Sequence, residues 1–135
     1  MSLKHLWAAA ALTAGLHTAQ AGDFSFTGNL SGADDQARFV FGLDSGSTVV
    51  IRTLSYAGGV NTAGDTIPAG GFDPVLSVFN SNGLLLLVDD DGRSAIDPLT
   101  GLAYDSEIMA LLDPGDYTTV LTQFANFPAG STLTV

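Results

Sequence analysis

The stretch Ala37-Arg-Phe-Val-Phe-Gly-Leu43 decides the fold class. Phe39, Phe41 and Leu43 alternate with Arg38, Val40 and Gly42. A period of two puts the Phe pair on one face of a β-strand, toward a core. In the next apolar run Val49 and Ile51 begin one face, while Leu54 and Tyr56 fall out of phase with them, which predicts a bulge near Arg52 and Thr53.

The same texture extends along the chain. Gly, Thr, Val, Leu and Phe are abundant and Glu, Lys and Gln scarce, a composition that favours strands. No stretch sustains a helical apolar period. Short apolar runs are punctuated by Gly, Asp, Asn and Pro, as in an all-β sandwich or barrel. Strands are expected over residues 24–27, 37–43, 47–56, 74–79, 84–88, 106–112, 117–124 and 131–135, about eight in all. Asn80-Ser-Asn-Gly83 reads as a hairpin turn, since Asn and Gly tolerate positive φ, and Asp113-Pro-Gly-Asp116 as a second turn. Residues 57–72 and 89–105 are left as long loops, which in so small a domain are functional or mobile.

The N-terminus has the parts of a secretory signal. Lys4 and His5 precede an apolar run from Leu6 to Leu16, and Ala19-Gln20-Ala21 supplies a small-x-small cleavage pattern. The apolar run is shorter than the ~20 residues of a spanning helix, so no membrane span is expected. Cleavage would leave 114 of the 135 residues, one domain over 22–135 beginning at Gly22. Both histidines (His5, His17), the lone lysine (Lys4) and the lone tryptophan (Trp7) would go with the leader. The mature chain then holds three arginines against 14 acids, 13 of them Asp, a net charge of −11. Such a chain repels nucleic acid and anionic lipid and attracts divalent cations. With no cysteine, disulfides cannot staple a secreted fold, whereas a bound metal can stabilise it.

The acids cluster. Val88-Asp89-Asp90-Asp91-Gly92 opens the second loop, which passes Asp97 and returns at Tyr104-Asp105-Ser106-Glu107. Calcium takes about six to eight oxygen ligands from carboxylates, carbonyls and water. On leaving a strand, Asp89 and Asp91 would share a face and Asp90 would point away, with Gly92 turning the chain around an ion and Asp105 and Glu107 closing the site. Asp89, Asp90, Asp91, Asp105 and Glu107 are therefore the candidate calcium ligands. The loop is not an EF-hand, because Arg93 and Thr100 fall at the fifth and twelfth positions, where ligands are required. The competing reading is a solvated turn whose Asp side chains cap backbone amides. Calcium is preferred because three adjacent like charges repel and Arg93 is the only nearby cation. Zinc lacks imidazole or thiolate ligands. Asp73, in Gly70-Gly-Phe-Asp-Pro74, is a second candidate, expected to cap a turn ahead of reaching the same ion, and Asp34-Asp35 an ordinary polar turn.

No catalytic set emerges, so an enzyme is not expected. Serine hydrolase chemistry lacks its histidine base. Glycosidase carboxylates need an apolar pocket for a raised pKa, and these acids sit on Gly-rich loops with few aromatics nearby. Phosphate-binding Gly loops need a helix N-terminus, and none is expected.

Several blocks carry a resemblance: Phe26-Thr-Gly-Asn-Leu-Ser-Gly-Ala-Asp-Asp35, Arg38-Phe-Val-Phe41, Arg52-Thr-Leu-Ser-Tyr-Ala-Gly-Gly59, Gly70-Gly-Phe-Asp-Pro-Val-Leu-Ser77, Asp90-Asp-Gly92, Tyr104-Asp-Ser106 and the run Tyr117 to Phe127. Together they resemble small exported bacterial proteins of the PEP-C-terminal sorting system, similar in pattern to the bacterial pre-peptidase C-terminal domain. The resemblance implies a jelly-roll-like antiparallel β-sandwich and an exported, non-enzymatic role. Such proteins usually run on past the position of Val135, so the strand Ser131-Thr-Leu-Thr-Val135 is expected to be cut short or completed by something else.

Two functions follow as expectations. The first is a structural subunit of a secreted, cell-surface filament or matrix, a head-to-tail homopolymer joined by strand contacts and stabilised by calcium, with Phe24 and Phe26 marking the preferred donor strand. The alternative for that strand is pairing within its own domain. The second function is a monomeric adhesion module for polysaccharide or a partner protein, for which Phe124 and Phe127 are the nearest thing to an aromatic patch, one of them expected in the core.

Overall fold

A computed structural model describes residues 3–8, 18–19, 22–93 and 95–133. Eleven strands follow in chain order: β1 Leu3–Ala8, β2 Thr18–Ala19, β3 Phe24–Phe26, β4 Gln36–Leu43, β5 Ser47–Thr53, β6 Gly59–Val60, β7 Thr66–Ile67, β8 Pro74–Asn80, β9 Leu85–Asp89, β10 Glu107–Leu112 and β11 Gly115–Gln123. The described residues contain no helix, and the fold is all-β.

One sheet has the order β10-β5-β1-β3 and the other β2-β4-β11-β8-β9, with β6 and β7 forming a small separate hairpin. Pairing is antiparallel throughout the larger sheet except for β2, and β1 runs parallel to both β3 and β5. The two sheets enclose one core. Ala37, Phe39, Phe41 and Leu43 alternate inward from β4, as the sequence predicts, and meet Val49 and Ile51 of β5, Leu76 and Val78 of β8, Ile108 and Leu112 of β10 and Tyr117 and Leu121 of β11. Phe26 reaches across to Phe39, with ring centroids 4.6 Å apart. Tyr117 stacks on its register partner Phe41 at 5.4 Å, and its hydroxyl donates to the Asp113 carbonyl.

Seven of the expected strands are present, and four shorter or earlier ones add to them. The eighth, 131–135, is not a strand in its described part: Thr132 makes a single bridge to Leu84, and residues 134–135 lie outside the described residues. The expected bulge near Arg52 and Thr53 is not found, because β5 keeps continuous register with β10 from Ser47 to Arg52. The phase break at Leu54 is instead the end of the strand, and the register shift lies between Val78 and Phe79 in β8. Phe24 and Phe26 lie on β3, whose pairing partner is β1 of the expected leader. Asn80-Ser-Asn-Gly83 closes the β8–β9 hairpin, with Asn80 Oδ1 accepting from Asn82 N and Leu84 N. Asp35 caps its turn by accepting from Ser31 N and Gly32 N.

Candidate metal centre

Four chain segments converge at one pole of the sandwich: the end of β5, the start of β8, the end of β9 and the start of β10. What binds them is a buried carboxylate. Asp105 is fully buried, and its Oδ1 accepts from Thr53 Oγ1 (2.8 Å), Ser55 N (2.6 Å) and Tyr56 N (3.2 Å), while Oδ2 accepts from Ala57 N (2.7 Å). A buried charge is tolerable only when its lone pairs are met, and these are met by the chain that leaves β5. Next to it, Ser106 N donates to Thr53 Oγ1, and Ser106 Oγ lies within hydrogen-bonding distance of the carbonyls of Pro74, Asp89 and Asp90. The brace thus touches all four segments.

The returning chain fits closely. Gly92 N donates to the Asp105 carbonyl at 2.9 Å. A Cβ at Gly92 would collide with the backbone nitrogen of Glu107, so only glycine permits this approach. Asp89 Oδ2 accepts from Glu107 N at 2.8 Å, and Glu107 pairs with Arg52 at 2.7 Å.

Above this floor three carboxylates face one another. Asp73, Asp90 and Asp91 each offer an oxygen, all within 4.8 Å of one another. Asp73 and Asp90 are half-buried and Asp91 is exposed. Asp73 Oδ1 and Asp90 Oδ1 are buried and accept no hydrogen bond from the described protein groups. Burial, with the charges of Asp90 and Asp91 behind it, pushes the Asp73 carboxyl up to about 6. Burial and then the Asp91 and Asp89 charges raise Asp90 as well. Asp89 also moves up, burial outweighing the Glu107 amide that pulls it down. Carboxylates so placed resist ionisation together, and a hard divalent cation is the partner that makes joint ionisation favourable.

The sequence-stated set is therefore divided by the structure. Asp90 and Asp91 stand in the cluster; Asp89, Asp105 and Glu107 are turned to partners of this chain. The strand pleat ends at Asp89, so its alternation does not carry on to Asp90 and Asp91, which converge instead of diverging. Asp73, expected chiefly as a turn cap, completes the cluster. Its signal was Gly70-Gly-Phe-Asp-Pro74, an acid placed directly before a central strand that neighbours β9. Thr53 had no such signal. Asp97 folds its own loop, accepting from Leu99 N and Thr100 Oγ1, and the Thr100 hydroxyl foremost lowers its pKa.

No described helix is long and apolar enough to cross a membrane. In comparison with known proteins the chain matches no family model, no curated protein and no solved structure.

Proposed function

We propose that this chain is an exported, non-catalytic structural protein, a subunit of an extracellular filament or matrix that assembles through β-strand contacts and is stabilised by calcium at Asp73, Asp90 and Asp91. The observation that carries the reading is the apolar outer face of one edge strand in each sheet. On β9 and its flank, Leu84, Leu86 and Val88 point outward, and on β10 Met109 and Leu111 are 64% and 76% exposed. Edge strands are ordinarily blunted by charge, and apolar side chains on them favour contact with another copy. The jelly-roll wiring and the kinship with small exported bacterial proteins belong to the same reading. Subunits at −11 each repel on approach, and bridging or bound calcium reduces that repulsion.

The test is negative-stain microscopy with light scattering on the processed protein, in calcium and then in excess chelator. Assemblies that form in calcium and dissolve in chelator are the expected result. Assemblies indifferent to chelator would remove calcium as their cause, and a monodisperse monomer in both conditions would end the assembly reading.

A second reading, a polysaccharide-binding module, is favoured by one feature. Phe124 and Phe127 are both exposed, neither in the core, and meet edge to face at 5.8 Å. Phe127 also lines an open groove of about 550 Å³ with Asp34, Gln36 and Asn126. A glycan array in which binding is lost on Phe127→Ala would support it.

A further inference from the structure

We infer that the slot between β5 and β3 accepts a β-strand from a second copy of this chain, and that residues 130–135 supply it. The inference rests on the exported-assembly reading above, because the slot opens only when the leader is removed. In the structure the slot holds β1, whose six residues register with Thr48 to Thr53 of β5 and whose last three register with Phe24 to Phe26 of β3. Cleavage after Ala21 takes β1 away and leaves a row of unpaired backbone groups along β5, in the middle of a sheet. An edge of that kind recruits a strand. Closure from within is opposed by packing. For β3 to pair with β5 directly it must shift by roughly one strand spacing, about 4.8 Å, and that shift draws Phe26 off Phe39, now 4.6 Å away.

Residues 130–135 fit the vacancy on three counts. They read Gly-Ser-Thr-Leu-Thr-Val, with Leu133 and Val135 alternating with threonines in the period of two that a ladder beside β5 requires. From Tyr117 to Val135 there is no charged residue, so this is the part of an acidic chain that approaches another copy with least repulsion. The described part is also lightly held. Leu85 N donates to Ser131 O, Leu133 N to Gly83 O, and the segment spans an open groove of about 550 Å³ lined by Gly130, Thr132 and Leu133. Beyond β11 the chain has enough residues to reach a neighbour if released, at roughly 3.3 Å per extended residue.

The experiment uses the full chain with a site-specific protease sequence placed after Ala21. It is sized by light scattering before cutting, and after cutting and refolding with or without excess synthetic peptide 1–21. The expected result is monomer before the cut, assembly after it, and assembly suppressed by the peptide. Thr132→Pro, at an exposed position, removes an N–H that an inserted strand needs and is expected to lower assembled mass by at least roughly tenfold, while the uncut variant keeps its thermal midpoint. Assemblies that form before the cut, or that ignore both the peptide and Thr132→Pro, would overturn the slot while leaving the assembly reading in place. A stable monomer after the cut would overturn both.

Discussion

At the residue scale, Asp105 and Asp73 are carboxylates put to opposite uses. Asp105 is saturated with donors from residues 53–57, so replacing it with Ala strands three backbone N–H groups and a hydroxyl in a buried site. The expected cost is about 3–5 kcal/mol in urea unfolding, equal with and without calcium; a loss under about 1 kcal/mol would show that the brace is dispensable. Asp73 is unsaturated, with its carboxyl raised from 3.8 to about 6 by burial first and by Asp90 and Asp91 next. A raised acid makes its contribution to stability below the unfolded value and loses it as pH climbs through the folded one. Without divalent cation, stability is therefore expected to fall between pH 3.8 and about 6, by about 1 kcal/mol from this group after solvent screening. Asp97, lowered by Thr100, acts in the other sense and gives up its contribution only in more acid solution. Asp73→Asn should flatten the decline and weaken calcium binding by roughly tenfold, read by thermal melts across pH and by calcium titration. The clustering of acids was legible in the sequence, but which of them face outward was not. Asp89 and Asp90 are neighbours of the same type, and they part because the β-pleat stops between them.

At the scale of elements, the period-two alternation of Phe39, Phe41 and Leu43 was enough to place β4, and Asn80 to Gly83 enough to place a hairpin. Misreadings came where a strand end mimics another feature. Leu54 leaves the β5 phase because Ser55, Tyr56 and Ala57 wrap the Asp105 carboxylate, a partner about fifty positions away that no local pattern reveals. The pairing that β1 makes depends on β5, some forty-five residues along the chain, and no local pattern in residues 3–8 reveals it. Gly92 is the element-scale counterpart of these long-range constraints. Gly92→Ala drives a methyl into the Glu107 backbone and is expected to cost about 2–3 kcal/mol, with calcium binding weakened alongside, since Asp90 and Asp91 ride on the same turn. On β10, Leu111→Lys touches no core and should leave the thermal midpoint within about 2 °C while reducing assembly. A midpoint that drops sharply would mean the side chain is covered within the monomer.

For the whole molecule, net charge and the proposed calcium act on the same quantity, the stability of the folded chain. A chain at −10 with one acidic pole gains from any divalent cation that binds only the folded state. Calcium at about a hundred times its dissociation constant should add about 2.7 kcal/mol at neutral pH, a rise of roughly 10 °C in the thermal midpoint. The gain should vanish near pH 4, where Asp73 holds its proton. Magnesium, which needs tighter octahedral geometry and keeps its waters, should give less. Equal stabilisation by both ions, or by neither, would leave the Asp73, Asp90 and Asp91 cluster a charged surface and nothing more.

The Asp105 clamp ties Thr53 to a position 52 residues later in a chain that has no thiol. Secreted domains of this size often give such a closure to a covalent cross-link, which restricts the unfolded chain and depends on an oxidising compartment. A hydrogen-bonded closure restricts only the native state. It forms as soon as the segments meet, needs no oxidant or isomerase, and is indifferent to reductants. This closure is therefore uncoupled from the redox state of its surroundings.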